Sequence, residues 1–141
     1  SRLTPGSEQY RWLEAELLRF ARKDKFVAVV LHHSPFSTGI FADEKKLQKK
    51  IVPLFEKYAV DIVFSGHHHF YERLRVRDVT YIVTGGGGDP LHFQFRHRPD
   101  SAVFMNVHHF CIFHVSGDEL ILAAYDVDLN PIDQHRIRKR K

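Results

Sequence analysis

A single cysteine among 141 residues excludes an intrachain disulfide. Cys111 sits in an apolar run and reads as a small buried hydrophobe, which leaves the redox compartment open. No apolar run reaches the roughly eighteen residues a membrane-crossing helix needs. The opening residues Ser1-Arg2-Leu3-Thr4-Pro5 carry no apolar core of the signal-peptide kind, which says nothing of residues before Ser1. Internal repeats and inter-domain linkers are absent too, and the length suits one domain with one core. The residue mix, 43% hydrophobic and 27% charged, is that of an ordinary soluble protein. Distributed positive charge is also lacking. Of the net +4, five positive residues crowd into the last six: Arg136, Arg138, Lys139, Arg140 and Lys141. The rest of the chain is close to neutral, so nucleic-acid binding would rest on this tail alone. Such a tail is more often a frayed, solvated end.

What is present follows an α/β pattern. Thr4-Pro5 predicts a helix start, after which Tyr10, Leu13, Leu17, Phe20 and Ala21 fall on one face. Arg22, Lys23 and Lys25 suit its C-terminal end. Residues 26–31 predict a strand apolar on both faces, as in a sheet covered on both sides. A loop over 34–42 leads to a second helical stripe of Leu47, Ile51, Leu54, Phe55 and Tyr58, which Pro53 should kink or restart. Residues 60–65 predict the next strand, and the spacing fits a parallel crossover. Further strands are predicted at 79–84, ending in the glycine run 85–88, and in a hairpin of 107–115 and 120–127. The polar, aromatic segment 91–99 reads as an ordered loop.

Both predicted parallel strands end in histidine: His32-His33-Ser34-Pro35 after the first, Ser65-Gly66-His67-His68-His69 after the second. Open α/β sheets carry their chemistry just past the carboxyl ends of parallel strands. In extended backbone, residues two apart share a side, so His67 and His69 face one site while His68 turns away. Either His32 or His33 can join them, but hardly both. Borderline divalent ions such as Zn²⁺, Fe²⁺ and Mn²⁺ accept neutral imidazole. A lone histidine at a strand end is usually structural; two clusters, one after glycine, favour a metal site. The remaining histidines read as structural or surface residues, with His92 and His97 the exceptions as candidate substrate contacts. No carboxylates of the kind a hydrolytic metal centre needs accompany them.

The segment Gly66-His67-His68-His69-Phe70-Tyr71-Glu72-Arg73 resembles the Gly-His-x-His-x-Tyr-Glu-Arg signature of purple acid phosphatases, within the calcineurin-like metallophosphoesterases. His33-Ser34-Pro35 resembles their His-x-Pro motif, and Gln9-Tyr10-x-Trp12-Leu13 and the glycine run look familial as well. The resemblance implies a four-layer α/β/β/α sandwich with a two-metal site of Fe, Zn or Mn at the strand ends. His33 and His67 would bind one ion and His69 the other, while His32 and His68 match no ligand position. Tyr71, Glu72 and Arg73 would support the ligands from behind. The glycine run would let backbone pass close to the site, with a phosphate cradle at Gly86 and Gly87 ranking second.

The family's Asp-x-His, Gly-Asp-x-x-Asp and Gly-Asn-His motifs are missing. Gly117-Asp118-Glu119-Leu120-Ile121 and Gly88-Asp89-Pro90-Leu91-His92 both lack the second aspartate. Residues 1–141 are therefore expected to be a single partial domain, the C-terminal half of the catalytic sandwich: a parallel βαβ unit followed by antiparallel strands. The catalytic histidine is expected upstream. A phosphate-ester substrate, feeble or no hydrolysis by the chain alone, and self-association through uncovered sheet surface follow as expectations. A non-catalytic metal-binding or interaction module is the second reading. A nucleic-acid-directed phosphodiesterase guided by the basic tail is the third.

Overall fold

The computed structural model describes residues 3–21, 25–41 and 45–139. The first helix, α1 (Glu8–Phe20), begins later than the Thr4-Pro5 signal predicts. Thr4 instead accepts a turn hydrogen bond from the Ser7 amide at 2.9 Å, with Gly6 in the left-handed region at φ +85°. Ser7 is the cap, its Oγ accepting from the Tyr10 amide at 3.3 Å. Leu13 and Leu17 are the buried stripe, while Phe20 is largely exposed. Arg22 and Lys23 lie outside the described residues.

Strand β1 (Ala28–Leu31) pairs in parallel with β2 (Ile62–Ser65) across α2 (Lys45–Lys50) and α3 (Val52–Lys57). The helical stripe breaks at Ile51, and Pro53 opens the second helix, where its missing N–H is no loss. β2 then pairs in parallel with β4 (Val79–Thr84); β3 (Tyr71–Val76) runs antiparallel against β4, and β5 (Ser101–Met105) antiparallel against β3. The sheet order is β1-β2-β4-β3-β5. β6 (His109–Ser116), β7 (Glu119–Asp126) and β8 (Pro131–Arg138) form a second, antiparallel sheet.

Three layers result. Leu17, Ile51, Leu54 and Phe55 pack on one face of the larger sheet, against Val29, Val63 and Tyr81. Leu120, Leu122 and Ala124 of β7 cover its other face at Ile62, Phe64, Tyr71 and Ile82. All four β2 residues are buried, as a strand covered on both faces requires. β1 departs from that expectation: it is an edge strand, and Val30 is 78% exposed.

Asp133 of β8 ties the sheets together. It accepts from Tyr71 Oη at 2.6 Å and from Arg73 Nε and Nη2 at 2.7 and 3.1 Å. Burial opposes its ionisation, but these hydrogen bonds outweigh that and hold its carboxyl below the usual range.

Up to Lys139, the basic tail is not the frayed end its composition suggests. Residues 136–138 belong to β8, with Ile137 opposite Leu120 and Arg138 opposite Glu119. Arg136 and Arg138 lie 3.5 and 3.1 Å from the Glu119 carboxylate. Lys139 Nζ reaches buried Asp61 at 2.8 Å, and the same carboxylate oxygen accepts from the Val27 amide at 2.8 Å. Arg140 and Lys141 lie outside the described residues.

Candidate metal centre

The parallel ladder ends at Leu31 opposite Ser65, and the Gly66 amide extends it by donating to the His32 carbonyl at 3.1 Å. Past that bond both chains bend. The His68 amide turns back onto the Gly66 carbonyl at 2.8 Å, and His67 takes a left-handed φ of +65°. Such backbone is uncommon for a residue with a side chain and is held by its surroundings.

The two bends bring His32, His33 and His67 together: one ligand nitrogen from each lies within 4.8 Å of the others. Their ring centroids are 4.9 Å apart for His32–His33, 5.2 Å for His32–His67 and 4.2 Å for His33–His67. Strand alternation admits only one of His32 and His33. Both contribute because they lie beyond β1, where alternation no longer applies. The Pro35 that follows so closely is the sequence signal that extended pairing has ended.

His69 stands apart from this group. Its ring stacks on His92 at 4.1 Å, and its Nδ1 lies 2.9 Å from the Pro90 carbonyl oxygen. A carbonyl only accepts, so this contact places the proton on Nδ1 and leaves Nε2 as the lone-pair nitrogen. That Nε2 is 3.9 Å from the Asp89 carboxylate. His92 Nδ1 in turn accepts from the His69 amide at 3.2 Å. Burial, then neighbouring His69, pushes the His92 imidazole below its ordinary value. His97 is exposed.

His68 is buried and stacked on Phe70 at 5.4 Å, with no hydrogen-bond partner for Nδ1 among the described residues. Burial first, then the nearby His67, pushes its pKa down to about 4. A Cβ at Gly39 would meet its Nδ1 at 2.4 Å, and one at Gly85 would meet its carbonyl oxygen at 2.4 Å. Gly85 thus lets β4 end directly beneath the histidine segment. Gly86 packs against His109 and the Val107 carbonyl, whereas a side chain at Gly87 would meet nothing.

Behind the histidines, Glu72 is fully buried. Its carboxylate accepts from the Thr38 amide at 3.0 Å, the Thr38 hydroxyl at 2.8 Å and Ser101 Oγ at 2.6 Å. Together with Arg96, whose Nε and Nη2 donate to the Ser37 carbonyl at 3.2 and 3.0 Å, it pins the buried loop that follows His33. Tyr71 and Arg73 point the other way, to Asp133. Phe41 closes the rim, 5.2 Å from His67 and 5.4 Å from His92. Sequence reasoning named neither Phe41 nor the Glu72–Thr38 clamp; the buried charge of the latter leaves no periodic signal.

The donor chemistry fits one borderline ion. Tetrahedral Zn–N bonds of about 2.0–2.1 Å put ligand nitrogens about 3.4 Å apart, within small rotamer changes of the observed spacing. A second ion fits less well, since among the described residues no carboxylate joins the three histidines and His69 lies outside the group.

No protein-family model matches the chain. Fe(3+)-Zn(2+) purple acid phosphatase 12 of Arabidopsis thaliana is 38% identical over 87 residues, 59% of this chain and 19% of that protein. The purple acid phosphatase of Glycine max is 38% identical over 88 residues, 60% of this chain and 19% of its own length. The chain thus spans about a fifth of the length of these curated relatives. A purple acid phosphatase, PPD1, from yellow lupin (Lupinus luteus) seeds superposes at TM-score 0.87 and 22% identity, over 95% of this chain and 28% of that one. GAP50, the anchor in the inner membrane complex of Plasmodium, does so at TM-score 0.80 and 19% identity, over 99% and 47%. At such identities the two structures speak for the fold alone. The chain is related to the C-terminal region of the purple acid phosphatases, the branch of the calcineurin-like metallophosphoesterases that its 66–73 signature resembles.

Proposed function

We propose that this chain supplies the histidine side of a metal-dependent phosphoesterase centre, which hydrolyses phosphate esters in the complete protein. The observation that carries this reading is the gathering of His32, His33 and His67 beyond two adjacent parallel strands. When bound, Fe, Zn or Mn ions supply Lewis acidity toward a phosphoryl oxygen and toward water. The rest is the work of this chain's own residues. His33 and His67 hold metal through neutral imidazole. His69 donates Nδ1–H to the Pro90 carbonyl, which leaves Nε2 as its lone-pair nitrogen. His92 keeps Nε2–H as a donor for a substrate oxygen, because its Nδ1 is taken by the His69 amide. Glu72 fixes the loop after His33, and Gly85 brings β4 beneath the site.

Among the described residues, no carboxylate joins His32, His33 and His67. The 141-residue chain is therefore expected to hydrolyse p-nitrophenyl phosphate no faster than a metal blank, and turnover above that blank would contradict this expectation. The protein encoded by the full-length gene is expected to hydrolyse it, with His67→Ala lowering kcat at least about 100-fold. A metal-loaded full-length protein with no activity on phosphate esters would overturn the proposal. The all-nitrogen donor set favours one second reading, a metal-binding module without catalysis. Elemental analysis of that protein beside the assay separates the two, since the module retains metal and shows no turnover.

A further inference from the structure

The structure assigns His32 a ligand's place: we propose that this chain alone binds a single borderline divalent ion through His32, His33 and His67. The resemblance gives His32 no such role and distributes the ligands over two ions. The geometry argues otherwise on three counts. First, the His32 nitrogen lies within the same 4.8 Å span as those of His33 and His67, while His69 lies outside it. Second, the three residues ride on backbone fixed in relative position. The Gly66–His32 hydrogen bond of 3.1 Å locks the end of β1 to the end of β2, immediately between His32 and His67. The left-handed backbone of His67 and the buried, pinned loop after His33 hold the other two rings. Third, the His69 ring is held against His92, 4.1 Å between centroids, so its Nε2 stays outside the group.

Three imidazoles leave one tetrahedral position open, the ligand count of many zinc centres that take up a further ligand. The softness of the set favours Zn²⁺ or Co²⁺ over Mg²⁺ or Ca²⁺. This inference goes beyond the phosphoesterase reading and stands whether or not hydrolysis is found, because its measurement is metal binding by the 141-residue chain.

The test is titration of the metal-free chain with Zn²⁺ by calorimetry, and with Co²⁺ by its visible ligand-field absorption. One ion per chain is expected, with a four-coordinate cobalt spectrum. His32→Ala, His33→Ala and His67→Ala should each weaken Zn²⁺ binding at least about 100-fold, and His69→Ala should leave it within about threefold of the parent chain. His32 is exposed, so its removal spares the core; circular dichroism checks this, and His32→Gln serves if the alanine variant unfolds. Undiminished binding in a folded His32 variant overturns the proposal. So does binding of two ions, loss of binding in His69→Ala equal to that in His32→Ala, or no binding at all.

Discussion

At the scale of single residues, His68 shows how closely the site is supported from below. Its ring packs on Gly39 and its carbonyl on Gly85, and neither position has room for a methyl group. Gly85→Ala would drive a Cβ against backbone rather than against a movable side chain. It should cost about 1–3 kcal/mol, read as a lower urea midpoint, and should weaken metal binding by shifting His67. A parent-like midpoint would mean that the segment yields freely. The same burial makes stability depend on pH. The His68 imidazole falls from an ordinary 6.5 to about 4, so between those values the unfolded chain takes up a proton the folded chain refuses. Its contribution is full above pH 6.5 and is lost on acidification toward pH 4, amounting to roughly 3 kcal/mol at most. Urea titrations across that window should show a shallower acid slope for His68→Gln; an unchanged slope would remove His68 as the cause. Strand ends pointed to His67 and to one of His32 and His33, and the His-x-Pro resemblance chose His33. That His32 and His33 would both lie near His67 was hidden, since alternation is a property of strands and the chain has already bent there.

At the scale of elements, the crossover of β1, α2, α3 and β2 could be read from apolar runs and a helical stripe, as could β4 and most of the β6–β7 hairpin. β3 was hidden because Glu72 and Arg73, both charged, sit where an apolar pattern would be sought. Their partners, Thr38 and Asp133, lie far away in sequence. β8 was hidden for a similar reason, with only Ile132 and Ile137 among its eight residues carrying aliphatic bulk. Glu72 joins β3, β5 and the loop after His33, so its loss should be felt along that whole stretch. Glu72→Ala leaves the buried Thr38 amide and two hydroxyls without their acceptor. It should destabilise by about 2–3 kcal/mol, with faster hydrogen exchange at Thr38 than in the unchanged strands. Exchange accelerated evenly across the fold would deny it a local role.

At the scale of the whole molecule, the two sheets share a core, yet one flank is uncovered. Val30 on the β1 edge lines one groove with Trp12 and Phe20, which are 61% and 47% exposed. An open edge next to apolar surface invites pairing with another chain. We expect concentration-dependent dimers by light scattering at micromolar concentration, suppressed by Val30→Lys; a monomer throughout would contradict this. The family signature and the parallel sheet followed by antiparallel strands were readable in the sequence, whereas that flank became visible only when β1 proved to be the edge. The Lys139–Asp61 contact has a practical reach. Asp61 sits where β2 begins and grips the amide just before β1, so Lys139 acts as a clasp on both histidine-bearing strands. Lys139→Ala would strand a buried anion and loosen both histidine-bearing strands at the ends away from the site.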